Sequence, residues 1–473
     1  MPGGCKLPHS SQVGRYRVWP PWGHHNLNLV PDRCSVNRRI TSRSSASLGV
    51  SWATARHRVF RLSRAACFGQ RESQLAFGQT KGKNGDVTNR AFWLNELEIA
   101  FASRSVVWLG GVRRVGKTTL VRSLPGVRYF DCELVRVRRA LDDPELFWRD
   151  QPAGSVVALD EIHRLTNPSE VLKVAADHFP KVRVVATGSS TLVAKRKFKD
   201  SLTGRKREVW LTPMVAADFE AFGSTDLDRR MLHGGLPPFF LAPRVDDKDY
   251  EEWMSSYWAK DLSELFVVDK RTAFMKFAEL VFAQSGGLFE AQSFAAPCEV
   301  SRTTVQSYLS ILETTLLATV LRPYHGGGAA EIRTQPKVYA FDTGFVAYHR
   351  GWDSLRDEDR GQLLEHLVLG EIVARFGVSR LHYWRDKQQH EVDFVLEVAR
   401  RRDVVAIECK SAAQKLDPAG LLALRRRHPR GRNLVVTLRD TDEHKRSFGE
   451  IEVEFVPYLK LPRLLDKLRG PEA

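Results

Sequence analysis

The stretch Gly111-Val112-Arg113-Arg114-Val115-Gly116-Lys117-Thr118 decides how this chain is read, because it fills every fixed position of the pattern Gly-x4-Gly-Lys-Ser/Thr. It follows a short apolar run, Ser105-Val106-Val107-Trp108-Leu109, that reads as a buried parallel strand, and it leads into Thr119-Leu120-Val121-Arg122, which opens a helix. Strand, loop and helix in that order form a phosphate cradle. Glycines at 111 and 116 let the backbone curl close to an anion, so that successive N–H groups and the positive end of the helix can hold it. In such a loop Lys117 reaches the terminal phosphates and Thr118 ligates Mg²⁺, with Thr119 beside them at the nucleotide. The expected ligands are therefore ATP and Mg²⁺. The bland alternative is a glycine-rich turn before an ordinary core helix, and the two correct flanks tell against it.

Downstream, Val156-Val157-Ala158-Leu159-Asp160-Glu161 is an apolar strand that ends in two carboxylates. Asp160 is placed to hold Mg²⁺ through water, and Glu161 to orient or deprotonate an attacking water. The strand Val182–Ala186 ends in Thr187-Gly188-Ser189-Ser190, where Thr187 or Ser189 would emerge beside the terminal phosphate, since ligands sit at the carboxyl ends of strands in such sheets. A helix cap at Ser190 explains the same residues equally well. Arg205, in Leu202-Thr203-Gly204-Arg205, is a candidate arginine finger acting on a neighbouring subunit, which implies a homo-oligomer.

At 473 residues the chain exceeds one core, and with 43% apolar residues it can bury several. No run of about 18 uninterrupted apolar residues is present, so no membrane partner is expected. Six scattered cysteines, with no C-x-x-C pair, fit a reducing cytoplasm better than a disulfide scaffold or a thiolate metal site. The net charge of +16 is concentrated: residues 1 to 90 hold 15 Lys/Arg against Asp32, Glu72 and Asp86. The basic isoelectric point is thus mostly a property of the first 90 residues rather than a sign of a DNA-binding body. Residues 1 to 88 show no sustained periodicity and are expected to be disordered. A transit peptide, a nucleic-acid arm, and translated upstream sequence before a start near Val87 all remain open for them. The last fits the absence of methionine between Met1 and Met214.

With these residues assembled, the chain resembles a family of prokaryotic AAA+-type P-loop ATPases that carry a C-terminal module. The resemblance rests on Gly110-Gly111-Val112-Arg113-Arg114-Val115-Gly116-Lys117-Thr118-Thr119, Leu159-Asp160-Glu161-Ile162-His163, Ala186-Thr187-Gly188-Ser189-Ser190 and Leu202-Thr203-Gly204-Arg205, followed by Gly234-Gly235-Leu236-Pro237 and Asp342-Thr343-Gly344. It covers roughly residues 91 to 460. The basic run Arg205-Lys206-Arg207 departs from it, since only the first arginine is expected.

Between residues 215 and 290 aromatic stripes at helical spacing read as core. Residues 289–295 and 301–312 then read as a helix-turn-helix, with Ser301 as the cap and Val305, Leu309 and Leu312 facing inward. A wing is expected around Gly326-Gly327-Gly328 and Lys337–Phe341. The outward face, Arg302, Gln306 and Ser310, carries a single cation, which favours a structural or protein-docking module over DNA binding.

The last constellation lies in His390–Glu397 and Val404–Lys410, two alternating strands that give Asp393-x14-Glu408-x-Lys410. Period two puts Glu408 and Lys410 on one face, and hairpin pairing can bring Asp393 beside them. Glu365, on a helix with Leu364, Leu367 and Val368, is a candidate fourth member of a second metal site. The arrangement resembles the metal-dependent PD-(D/E)xK nucleases. Ordinary surface pairs on a hairpin are the bland alternative.

The fold expected is α/β: a P-loop NTPase (AAA+-like) parallel-sheet domain over 89–225, a helical and winged-helix middle over 226–350, and a mixed α/β restriction-endonuclease-like domain over 351–473. Lys117, Glu161 and Arg205 are the expected catalytic residues. Gly111, Gly116, Lys117, Thr118, Thr119 and Ser189 are expected to bind nucleotide, and Thr118 and Asp160 to bind Mg²⁺. Two functions are compatible with this: an ATPase that controls a nuclease-like module acting on DNA, or an ATP-driven switch whose C-terminal module binds without cleaving.

Overall fold

The computed structural model describes residues 89–188, 202–263, 266, 268, 270–326, 335–398 and 403–470. The basic N-terminal segment, Ser189 and the glycines 327 and 328 of the expected wing lie outside the described residues, as do the arginines 400–402.

Helix α1 (Ala91–Ser103) precedes β1 (Val106–Gly110), the phosphate loop and α2 (Lys117–Arg122). Then follow β2 (Arg128–Asp131), α3 (Val135–Ala140), α4 (Pro144–Arg149), β3 (Val156–Asp160), α5 (Pro168–His178), β4 (Arg183–Thr187) and β5 (Lys206–Trp210). The strands form one parallel sheet in the order β2-β3-β4-β1-β5. Its inner strands are continuous apolar runs because both faces are covered. Val106, Trp108, Val157, Leu159, Val184 and Ala186 pack with α3, α4 and α5 in one core. The alternate residues Val107, Leu109, Ala158 and Val185 pack with α1 and α2 in the other.

The second core does not stop at the sheet. It runs on through α6 (Leu227–Leu232), α7 (Pro237–Leu241), α8 (Asp247–Tyr257) and α9 (Arg271–Ala283). The chain then builds β6 (Gly287–Leu288), α10 (Ala291–Ala295), α11 (Arg302–Thr314), β7 (Ala318–Leu321) and β8 (Lys337–Ala340), with an antiparallel sheet in the order β6-β8-β7. The Ser301 hydroxyl accepts from the Thr304 N–H at 3.1 Å and starts α11, whose Val305, Tyr308, Leu309 and Leu312 are buried.

Helix α12 (Thr343–Arg350) leads into the long α13 (Asp357–Phe376). After it come β9 (Leu381–Arg385), β10 (Glu391–Glu397), β11 (Val404–Lys410), α14 (Ala419–Arg427), β12 (Asn433–Thr437), β13 (His444–Phe448), β14 (Ile451–Pro457) and α15 (Leu461–Arg469). These strands form a mixed sheet in the order β13-β14-β12-β11-β10-β9, covered by α13 on one face and α14 on the other.

Buried polar groups brace the first two parts and tie them together. The Asp342 carboxylate accepts from Gly235 N at 2.6 Å and Gly344 N at 2.9 Å, while Arg230 donates to Thr343 Oγ1 at 2.9 Å and to Met214 O at 2.8 Å. The Gly234–Pro237 and Asp342–Gly344 stretches thus brace each other rather than lining a ligand site. Asp218, fully buried, accepts from Arg90 Nε at 2.9 Å and Nη2 at 2.6 Å, and from Trp93 Nε1 at 3.3 Å. Arg90 also donates to Val115 O at 3.0 Å, inside the phosphate loop. Truncating one partner of a buried pair strands the other charge, at a cost of about 3–5 kcal/mol. Asp218→Ala should therefore lower folding stability by about that much, read as a shift in the denaturant midpoint; a loss under about 1 kcal/mol would show that Arg90 finds water instead.

Candidate functional site

The phosphate loop leaves the carboxyl end of β1 and turns through Gly111 at φ 149° and Gly116 at φ 101°. A Cβ at 111 would meet Leu211 O at 2.6 Å, so only glycine fits that approach. Lys117 folds back over the loop and donates to Gly111 O at 2.9 Å and Val112 O at 3.1 Å. Burial lowers the pKa of its ammonium, against the opposing pull of Glu161, Asp261 and Asp160. Middle-domain groups grip the same loop: Arg113 pairs with Asp261 at 2.9 Å, and Trp253 Nε1 donates to Arg113 O at 3.3 Å.

Asp160 ends β3 facing this loop and gathers three hydroxyls. Thr118 Oγ1 donates to its Oδ2 at 2.8 Å, Tyr129 OH donates to the same oxygen at 2.6 Å, and Thr187 Oγ1 donates to Oδ1. The donor set of hydroxyl and carboxylate oxygens suits a hard cation that keeps water and takes phosphate oxygens, so Thr118 and Asp160 fit Mg²⁺. Glu161 follows in a left-handed conformation, φ 54°, and its carboxylate lies 3.1 Å from His163 Nδ1. Burial works to raise the pKa of that carboxyl, but His163, Lys117 and Arg113 outweigh it and hold the group below its ordinary range. Thr187 Oγ1 also accepts from Glu161 N at 3.1 Å, so Thr187 ties the two acids together. Thr119 stands exposed on the first turn of α2.

Arg205 is placed elsewhere. Val106 pairs with Lys206 and Gly110 with Trp210, so Arg205 lies at the amino-terminal edge of the sheet, opposite the loop. There it pairs with Asp177 at 2.7 Å. It is therefore not a catalytic residue of its own chain's loop, since the strand direction carries it away.

In the C-terminal sheet the four predicted residues come together. The β10–β11 ladder is paired from Phe394–Ile407 to Glu397–Val404, and just beyond it the Asp393 carboxylate accepts from Cys409 N at 2.8 Å. Lys410 Nζ lies 2.7 Å from Glu408 Oε2 and 4.0 Å from Asp393 Oδ2. Glu365, on α13, accepts from Tyr339 OH at 2.8 Å. Burial raises the pKa values of Glu365 and Glu408, and Asp393 adds to the shift in both. Yet among the described residues no three His, Cys, Asp or Glu side chains are placed to hold a metal ion together. Lys410 sits between Asp393 and Glu408, and a tyrosine hydroxyl engages Glu365.

Sequence reasoning missed Arg90, Asp218, Tyr129 and His163 at the first site and Lys337 and Tyr339 at the second. The alternation of Lys337-Val338-Tyr339 put both side chains on one strand face, but nothing local pointed that face at α13.

Residues 103–220 match the family model described as an AAA domain. Residues 224–356 and 360–458 match two models each described as a domain of unknown function. The chain is 30% identical over 307 residues to the uncharacterized protein Rv2008c of Mycobacterium tuberculosis, across 63% of this chain and 68% of that one. The same figures hold for the uncharacterized protein Mb2031c of Mycobacterium bovis. The chain belongs to the family of these two proteins. Among solved structures it is similar to the Walker-type ATPase of Pyrococcus abyssi, at 17% identity and a TM-score of 0.39 over 56% of this chain and 96% of that one. It is also similar to the ORC1 protein of Aeropyrum pernix in complex with DNA, at 14% identity and a TM-score of 0.25 over 55% and 91%. Likenesses that loose carry no argument about mechanism. The match to an AAA domain over residues 103–220 implies ATP binding in that part of the chain, and no helix among the described residues is long and apolar enough to cross a membrane.

Lys117→Ala should remove the only cation that the loop itself folds over its phosphate cradle and lower ATP affinity by at least about tenfold, since a charged hydrogen bond is worth about 1.5–3 kcal/mol. Titration with a fluorescent ATP analogue reads this directly, and unchanged affinity would remove Lys117 from the site.

Proposed function

We propose that the protein is an ATP-hydrolysing switch of AAA+ type, in which nucleotide turnover at the phosphate loop alters a C-terminal nuclease-like module. The observation that carries the reading is the Asp160 carboxylate gathering Thr118, Thr187 and Tyr129 beside Lys117, with Glu161 next in sequence. ATP is bound by loop N–H groups and by Lys117, which exchanges the Gly111 and Val112 carbonyls for phosphate oxygens. Thr118 and Asp160 hold Mg²⁺, which neutralises charge on the phosphates when bound. Glu161 orients the attacking water and must first leave His163. Arg205, on the far edge of the sheet, reaches a nucleotide only in a neighbouring copy, so the finger role goes with a homo-oligomer.

Helices α9 to α11 with the β6-β8-β7 sheet fit a winged helix. A cleft of about 630 Å³ runs along the exposed face of α11, lined by Arg302, Gln306, Ser310 and Arg322 but also by Glu290 and Glu313. That mixed charge favours a protein partner over a phosphate backbone. A second reading is favoured by the convergence of Asp393, Glu408 and Lys410: a phosphodiesterase of the PD-(D/E)xK kind acting on DNA.

Glu161→Gln should keep ATP affinity and slow hydrolysis by about a hundredfold, the usual scale of a positioned base. Equal turnover in Glu161→Gln and the parent protein would sink the ATPase reading. Plasmid incubated with the protein and Mg²⁺ or Mn²⁺, with and without ATP, should stay uncut under the switch reading; cleavage lost in Asp393→Ala would establish the second.

A further inference from the structure

The second site draws residues from two parts of the chain. Tyr339 and Lys337 both lie on β8, within the stretch 224–356, whereas Glu365, Asp393, Glu408 and Lys410 belong to the C-terminal part. Lys337 is 5% exposed, and its ammonium lies 2.5 Å from Glu391 Oε1, on the strand that carries Asp393. Burial works to lower the pKa of the Lys337 ammonium, but Asp393, Glu365 and Glu391 outweigh it and raise that pKa, so Lys337 stands with Lys410 as a second ammonium among these acids.

Each acid of the cluster already has a donor supplied by the chain. Glu365 accepts from Tyr339, Asp393 from Cys409 N, Glu408 from Lys410 and Glu391 from Lys337. A divalent ion shared by this cluster would need oxygens from its acids turned toward one point, at about 2.0–2.6 Å. In this arrangement one oxygen of each acid, Glu365 Oε2, Asp393 Oδ2, Glu408 Oε2 and Glu391 Oε1, faces a proton of the chain instead, in keeping with the absence of a three-member ligand group among the described residues. Buried carboxylates this close repel one another unless cations lie among them or protons stay on them; Lys410 and Lys337 bring two positive charges to the four acids, and the raised pKa of Glu365 and Glu408 lets protons offset the rest without an ion.

We propose that Lys337 is the built-in cation of the second site, doing from β8 the neutralising work that a divalent ion does in a metal-dependent nuclease, so that the site binds no such ion. The inference rests on the reading that Glu365, Asp393, Glu408 and Lys410 form one site, and it deepens the switch reading, since a site closed by lysine is a binding platform. It also makes the cluster sensitive to the position of β8: withdrawing the middle domain would remove the cation and leave the acids unbalanced.

The test is Mn²⁺ binding, followed by electron paramagnetic resonance and by thermal melting, on the full nucleotide-free chain. The expected result is that the parent protein shows no binding that depends on Asp393. Lys337→Met should melt lower, gain one Mn²⁺ per chain and recover its melting temperature with Mn²⁺. Adding Asp393→Asn should abolish both gains, while Lys337→Arg should behave like the parent. If Lys337→Met fails to fold, Lys337→Met/Glu365→Gln, which drops one charge of each sign, takes its place. Asp393-dependent Mn²⁺ binding in the parent would overturn the proposal and leave the four-residue site standing. So would a Lys337→Met protein that gains no Mn²⁺ while Asp393→Asn still shifts its melting. If Asp393→Asn changes neither melting nor Mn²⁺ binding in any background, the four residues do not form one site, and the underlying reading fails with the proposal.

Discussion

The buried pair between Arg90 and Asp218 is the constraint on which the rest of the arrangement depends. Two opposite charges away from water must stay together, because either one alone in the core costs several kcal/mol. Arg90 spends a further donor on Val115 O, so the phosphate loop is held from behind by the same guanidinium. Asp218 closes a short helical turn, Ala216–Asp218, and the Ala216 N–H at its start donates to Glu371 at 2.6 Å. Glu371 is itself buried and held by Arg375 at 2.7 Å and Tyr458 OH at 3.0 Å. Loop, turn and C-terminal part are therefore joined through groups that cannot separate cheaply.

Glu371 lies on α13, the helix that also carries Glu365. One rigid element thus touches the support of the nucleotide loop at one end and the carboxylate and lysine cluster further along. From the other side, α8 holds the loop through Trp253, and the Asp342 knot ties the middle domain to the turn at Met214. Under the proposed switch, a change in loop conformation on binding phosphate would have two mechanical outlets: β8, which carries Lys337, and α13, which carries Glu365. This physical connection gives the word switch its content.

Much of the first site was legible because its chemistry is local. The loop spacing, the apolar run before it and the Asp160-Glu161 strand end are each contained in a few residues, and backbone direction alone brings them to one edge of a parallel sheet. The Ser301 cap and the inward face of α11 were legible for the same reason. Which end of its strand Arg205 occupies was not legible, because a cation in sequence does not say so; the pairing of β5 with β1 puts it at the edge away from its own loop, which leaves only a role toward a neighbouring copy. Arg90, Asp218, Lys337 and Tyr339 escaped notice because their partners lie far away in sequence, and nothing in their own surroundings marks them. At the second site, alternation correctly grouped Glu408 with Lys410. It gave no means of seeing that Tyr339 and Lys337, from another part of the chain, would engage Glu365 and Glu391.

The most direct test of the connection between the two sites is amide hydrogen exchange with and without Mg²⁺ and a non-hydrolysable ATP analogue. The account predicts slowed exchange not only across residues 111–122 but also across 214–218 and 366–375, with all three effects lost in Lys117→Ala. Protection confined to the loop and α2, with α13 exchanging at the same rate in both states, would contradict it.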